Sequence, residues 1–264
     1  MIRTNFCWTI IGALSAVLAA PALAAAADPV PAAAPAPASQ LRANMLNAGP
    51  VDFSGVWETA KLELVVLPEV AGKMTPEAQA RADLFRKLAD PVRDDPAKVC
   101  LIKGMPWTML GRARNYPTEI VQYPDRIFMV FELYDQFRQI RLDGTAKPDD
   151  FGPSPSGWST GRWEGQTLVV ETTGLPVLNT FGVMQRTEEA KITERWQLGQ
   201  HPEFGQVLEV DITVEDPEIF VGPARAHQVY KRSAPGVVPG GYNCSSSLWD
   251  DHIAVRKAEL KIEE

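Results

Sequence analysis

One segment of the sequence carries a single carboxylate among apolar residues that are spaced two apart. Alternate positions from 190 to 198 read Ala, Ile, Glu, Trp and Leu, and Glu194 is the acidic member. In a β-strand these positions share one face. A carboxylate on such a face either pairs with a cation or becomes a general acid or base through desolvation. Glu194 is therefore the first candidate for chemistry, and a structural ion pair is the alternative interpretation.

Two further ionisable residues alternate with apolar residues in other predicted strands and could join Glu194. Arg138 is a candidate counter-charge, and Arg138 or His227 could hold an anionic group of a substrate. These three residues form the predicted catalytic set. The predicted substrate-binding set consists of Glu132, Glu171, Glu188, Trp57, Trp158 and Trp196. For the charged residues the alternative is a solvent-facing strand, and for the tryptophans it is packing in the core.

The sequence argues against several other kinds of site. The three histidines, His201, His227 and His252, lack the close spacing of a metal site, and no HExxH or CxxC motif occurs. No GxGxxG or phosphate-binding loop indicates a nucleotide. The segment GWSTG matches the hydrolase motif around Ser159, but the strand and helix that this motif requires are not predicted there. We therefore expect neither metal nor cofactor.

The balance of charge narrows the class of partner. The chain has 26 Lys and Arg against 33 Asp and Glu, a formal net charge of −7, and no run rich in Lys or Arg. Nucleic acids and anionic lipids attract basic surfaces, so neither is an expected partner. A small apolar or aromatic molecule is the expected partner, whereas the sequence gives no indication of oligomeric state.

The first 40 residues predict export. Residues 1–24 combine Arg3, an apolar run and a small-residue cleavage site, which is typical of a secretory signal peptide, with an uncleaved anchor as the alternative. Residues 25–40 form an Ala/Pro-rich linker, and residues 41–264 form the predicted domain. We expect a periplasmic protein without an integral membrane segment after cleavage. Cys100 and Cys244 favour a disulfide in that oxidising compartment, and a reactive thiol is the alternative.

The periodicity of the domain indicates a mainly β fold. One helix is predicted near the N-terminus, with Thr75 as N-cap and Pro76 in the first turn. From Tyr116 onward the apolar period is two, with turn signals that separate seven to nine short strands. In the segment STGRWEGQTLVVETTG, Gly165 supplies the turn between two of these strands. An antiparallel barrel or sandwich is expected.

Several segments also resemble known proteins. DFSGVWE, CLIKGMP, GRWEGQTLVVETTG, EAKITERW and TVEDPEIF occur in an order that resembles a family of exported, mostly uncharacterised bacterial proteins. The Gly55-x-Trp57 opening is similar to that of calycin (lipocalin-like) barrels, in which a Trp closes the barrel floor. The resemblance implies an antiparallel calycin-like barrel with an apolar interior. Relatives of this family are associated with cofactor-free lyase chemistry on lignin-derived aromatic dimers.

Two functions follow as expectations. The first is an exported, cofactor-independent lyase that acts by acid–base chemistry on a small aromatic molecule, with Glu194 as the acid or base. The second is a periplasmic carrier that binds an apolar ligand without catalysis. An envelope protein that neither binds nor turns over a ligand is a third possibility, and composition does not separate the three.

Overall fold

The computed structural model of the protein describes residues 49–60, 73–89, 102–110, 116–178, 185–242 and 247–262, although the side chains of 247–250 are excluded. The predicted signal peptide, the linker, and both Cys100 and Cys244 lie outside the described residues, so those predictions stay predictions.

Nine strands form a closed barrel. They are β1 (Gly55–Thr59), β2 (Thr118–Gln122), β3 (Arg126–Phe131), β4 (Gln136–Arg141), β5 (Trp158–Glu164), β6 (Thr167–Thr173), β7 (Lys191–His201), β8 (Gly205–Glu215) and β9 (Ala224–Arg232). Each strand pairs with its neighbour in sequence, and β1 closes the barrel on β9 through the pair Trp57 and Arg232. The expected mainly β barrel is confirmed.

The expectation of a purely antiparallel barrel is wrong at one position. Strands β4 and β5 pair in parallel, with Ile140 opposite Ser159. Parallel neighbours need a long crossover, because the chain must return to the end from which the first strand started. Residues 142–157, which include the Pro- and Gly-rich loop, make that return.

The expectation of a single N-terminal helix is also wrong, because the described residues contain two α-helices. Helix α1 (Pro76–Leu88) lies between β1 and β2 in the chain, and Thr75 caps it by accepting a hydrogen bond from Ala78 N at 3.2 Å. Helix α2 (Ser247–Leu260) follows β9. Among the described residues, neither helix has the length and apolar character needed to span a bilayer.

Aromatic side chains close one end of the barrel. Phe53 stacks on Trp163 with ring centroids 5.8 Å apart and meets Trp196 edge-on at the same distance. The Trp57 indole donates to Phe53 O at 2.9 Å, and Arg232 lies over the Trp57 ring, 3.8 Å from its centroid. These contacts place Trp57 and Trp196 in the core, as the packing interpretation expected.

A loop covers the opposite end. Residues 102–110, here called the cap segment, bury Met105, Met109 and Leu110 against the interior of the barrel. Thr108 Oγ1 lies 3.0 Å from Gln136 Oε1 at the start of β4, and the hydroxyl of Tyr230 donates to Met109 O. One end of the barrel is thus filled by aromatic side chains, and the other is covered by the cap segment.

Candidate functional site

Four polar side chains meet inside the barrel. Arg138, Ser159, Thr172 and Glu194 come from four successive strands, β4 to β7, and each is at most 1% exposed. Because they occupy inward positions of adjacent strands, their side chains converge although they are distant in sequence. The barrel therefore brings together two of the three predicted catalytic residues, Arg138 and Glu194.

Arg138 is the centre of this polar cluster. Its Nη1 donates to Glu194 Oε1 at 3.2 Å, and its Nη2 forms an ion pair with Glu194 Oε2. The same Nη2 donates to Thr172 Oγ1 at 2.9 Å, and Nε donates to Ser159 Oγ at 3.1 Å. The two hydroxyl oxygens lie 2.8 Å apart and bond to each other. The bidentate geometry neutralises the carboxylate, so the cluster is an internally satisfied ion pair.

Tyr230 is the nearest further ionisable group that sequence reasoning missed. Burial raises the pKa of the Tyr230 phenol above its ordinary value; Glu194 raises it further, and Arg138 opposes the change. The hydroxyl is therefore protonated at neutral pH and holds the cap segment through Met109 O. Tyr230 alternates with Gln228 and Ala226 in β9, and this spacing is the sequence signal that could have placed it on their inward face.

A cavity of about 170 Å³ lies beside the cluster, beneath the cap segment. Its wall is mainly apolar and includes Trp107, Leu110, Ile192, Ile212, Ala226 and Phe220. Ile212 is the register partner of both Glu194 and Ala226, so the cavity reaches the level of the ion pair. Glu194 itself does not line the cavity.

Arg186 also lines this cavity. It is 2% exposed, and its Nε donates to Pro176 O at 2.8 Å. Its Nη1 donates to two carbonyls of the cap segment, Lys103 O at 2.6 Å and Met105 O at 2.7 Å. Burial lowers the pKa of the Arg186 guanidinium to about 10, and Asp216 partly offsets that effect. Sequence reasoning missed Arg186, since it precedes β7 and belongs to no periodic segment.

His227 does not join the polar cluster. It faces outward from β9 opposite Asp211 of β8, and its Nδ1 lies 2.7 Å from Asp211 Oδ1. The His227 side chain is 37% exposed. Its alternation with Val229 indicated a shared face correctly, but that face is the outer one, because Gln228 and Tyr230 point inward.

The predicted substrate-binding carboxylates are also outside the barrel. Glu132 accepts a hydrogen bond from Gly240 N at 2.6 Å, and Glu171 pairs with Arg162 and Lys191 on the outer surface. Glu188 is exposed in the turn before β7. None of the three lines the cavity.

The tryptophan that faces the cavity was not in the predicted set. Trp57 and Trp196 pack at the aromatic end, and Trp158 lies on the outside, where the Arg141 guanidinium stacks 3.4 Å from its ring centroid. Trp107 of the cap segment lines the cavity instead.

Asp216 accepts hydrogen bonds from Thr187 N at 2.6 Å and Thr187 Oγ1 at 3.0 Å, so it anchors the turn before β7.

The described residues contain no group of three or more His, Cys, Asp or Glu side chains arranged to hold a metal ion. A scan of the chain against protein-family models finds no match, and a search of curated proteins finds none either.

Proposed function

We propose that this protein binds a small apolar or aromatic molecule in the cavity beneath the cap segment. The observation that carries the proposal is a cavity of about 170 Å³ that is lined by mainly apolar side chains. An apolar cavity of about 150 Å³ stays dry and admits benzene, so this one has room for one ring. A ring there would contact Trp107, Ile192 and Ile212 and would gain dispersion contacts with them.

The construction of the barrel supports a binding role without chemistry. The buried Glu194 carboxylate does not line the cavity, and both of its oxygens are bonded to Arg138. A closed barrel with a ligand cavity at one end is the arrangement by which lipocalins carry ligands. This barrel has nine strands, whereas lipocalins have eight, and its assignment to the calycin fold is part of the proposal.

Ligand titration of the purified chain tests the binding function. We expect indole or toluene to bind, with chemical-shift changes at Ile192, Ile212 and Ala226 in methyl spectra. Ala226→Leu fills the cavity and should abolish binding, whereas Val221→Leu, on an exposed residue, should leave binding intact. Absence of binding to the wild type, or equal binding to both variants, would overturn the proposal.

The second candidate is an exported, cofactor-independent lyase that acts on a small aromatic molecule. It is favoured by the register that places Glu194 opposite Ile212, a residue of the cavity wall. Glu194 would have to leave Arg138 and remove the O–H proton of a side-chain carboxyl or hydroxymethyl group. The carbon–carbon bond would then break, and the group would leave as carbon dioxide or formaldehyde. The bonding electrons would delocalise into the conjugated ring until the remaining carbon takes the proton back from Glu194. Only one ring of a dimer fits the enclosed volume, so the other would extend past the cap segment.

Product analysis separates the two functions. The wild type is incubated with aromatic monomers and dimers without cofactor, and a new product mass supports the lyase. Glu194→Gln should then abolish turnover, whereas Glu171→Gln, which changes a carboxylate on the outer surface, should not. Binding with an unchanged ligand mass supports the carrier and excludes the lyase for those substrates.

Export to the periplasm is proposed from residues 1–24 alone. Cell fractionation, with N-terminal sequencing of the mature chain, tests it. Recovery of the full-length chain from the cytoplasm would contradict it.

A further inference from the structure

Among the described residues, two arginines are at most 2% exposed, and they differ in the groups that they bind. Arg138 is neutralised by Glu194. Arg186 donates only to carbonyl oxygens, and no carboxylate of the described residues lies within ion-pair distance of it. A buried charge without a counter-charge is costly, so most such charges in proteins are paired. Among the described residues, the buried arginine without an ion-pair partner is therefore the one that lines the cavity.

The charge of Arg186 persists at neutral pH. Its pKa of about 10 lies well above 7, so the guanidinium remains protonated. The nearest acid that influences it, Asp216, already accepts bonds from Thr187 with both oxygens. The hydrogen bonds of Arg186 use Nε and Nη1, and no bond to a described residue uses Nη2. That nitrogen retains two donors for a ligand.

The other residues that line the cavity indicate the polarity and charge of the ligand that would fit it. The wall is mainly apolar, and besides Arg186 it includes the amide of Gln185 and a second cation, the exposed Arg225. None of the described residues that line the cavity is acidic. An apolar chamber of about one-ring volume with one buried positive charge matches an amphipathic anion.

We propose that the cavity selects monocyclic aromatic carboxylates and that Arg186 binds their carboxylate group. This inference rests on the proposed binding function and deepens it by naming the ligand class. The ring would occupy the space between Trp107 and Ile212, and the carboxylate would accept hydrogen bonds from Nη2 of Arg186. The ligand would thereby supply the counter-charge that the described residues do not provide.

The test compares two probes of equal size in the full chain by calorimetric titration at neutral pH. Benzoate and the neutral benzamide share one planar ring. Hydrogen bonds to charged groups are the stronger class, so we expect benzoate to bind about tenfold or more tightly than benzamide. Similar affinities would overturn the inference while leaving the cavity as an apolar site. If neither benzoate, benzamide nor toluene binds, the proposed function itself fails.

Two variants assign the preference to Arg186. In Arg186→Gln the ratio of benzoate to benzamide affinity should fall to about one. Arg186 also holds the cap segment, so its replacement could loosen that segment. The affinities for benzoate and benzamide are therefore compared within the same variant, because a loosened cap would weaken the binding of both probes equally. Arg225→Gln tests the other cation of the cavity, and Arg162→Gln, on the outer surface, is the control that should keep the wild-type ratio. A wild-type ratio retained in Arg186→Gln would refute the assignment. If Arg186→Gln does not fold, Arg225→Gln decides, because loss of the preference in that variant would refute the assignment and retention would support it.

Discussion

Removing Arg138 should destabilise this protein more than removing any exposed arginine. In Arg138→Met the side chain keeps its length but loses the charge, and the Glu194 carboxylate remains in a site that is 0% exposed. Ser159 and Thr172 keep their mutual hydrogen bond of 2.8 Å, so the stranded group is the carboxylate. Breaking a buried ion pair on one side typically costs about 3–5 kcal/mol. We expect a loss of that size in the free energy of unfolding.

The double variant isolates the cause of the loss. Arg138→Met combined with Glu194→Met replaces both charges by apolar groups of similar length, and such replacements are often neutral or stabilising by about 1–4 kcal/mol. The double variant should therefore be more stable than either single variant. Arg162→Met is the control, because its ion pairs with Glu164 and Glu171 are exposed to solvent and contribute little to stability.

Urea unfolding followed by tryptophan fluorescence measures these differences. All variants should keep the slope of the wild type, since the area exposed on unfolding hardly changes. A cost below about 1 kcal/mol for Arg138→Met would refute the reasoning, because desolvation of an unpaired carboxylate would then be cheap. A double variant as unstable as the worse single variant would refute it too, since packing would then explain the loss.

Three further predictions concern the framework of the barrel. Gly55 has φ of +133°, and a Cβ there would overlap Nη1 of Arg232, so Gly55→Ala should lower the free energy of unfolding by about 1–3 kcal/mol in urea unfolding. Thr75→Ala removes the cap of α1 and should cost about 1 kcal/mol in the same measurement, with no change in ligand affinity. The pKa of Tyr230 is raised in the folded state, so the unfolded chain loses its proton first and stability falls as pH rises above about 10. Tyr230→Phe should show a smaller fall over that range in unfolding curves, and an equal fall would contradict the assignment.

The periodicity of the sequence predicted the barrel and part of its interior. Ile192, Glu194 and Trp196 were expected on one face, and the structure buries all three completely. Thr75 was expected to cap a helix and does so. These features follow from local chemistry, since a period of two and a capping hydroxyl depend only on residues close together in the chain.

Periodicity alone did not predict which face of a strand points into the barrel. In β3 both alternating sets are apolar, and the structure buries Ile127 and Met129 while Phe128 and Val130 face outward. Glu132 follows Val130 by two residues and so continues the outward set, and His227 likewise lies on the outward set of β9. Alternation places residues on a common face, but only burial against the rest of the barrel decides which face is inside.

The sequence by itself determined a mainly β domain with a lone carboxylate, Glu194, on an apolar strand face. Only the tertiary structure decided that Arg138 is its partner, that β5 returns parallel to β4, and that the cap segment encloses a cavity beside Arg186. Strand period and capping are interactions over a few residues and are encoded locally. Ion pairing, barrel closure and cavity walls join residues tens of positions apart, so they depend on the register of the closed sheet, which no single segment encodes.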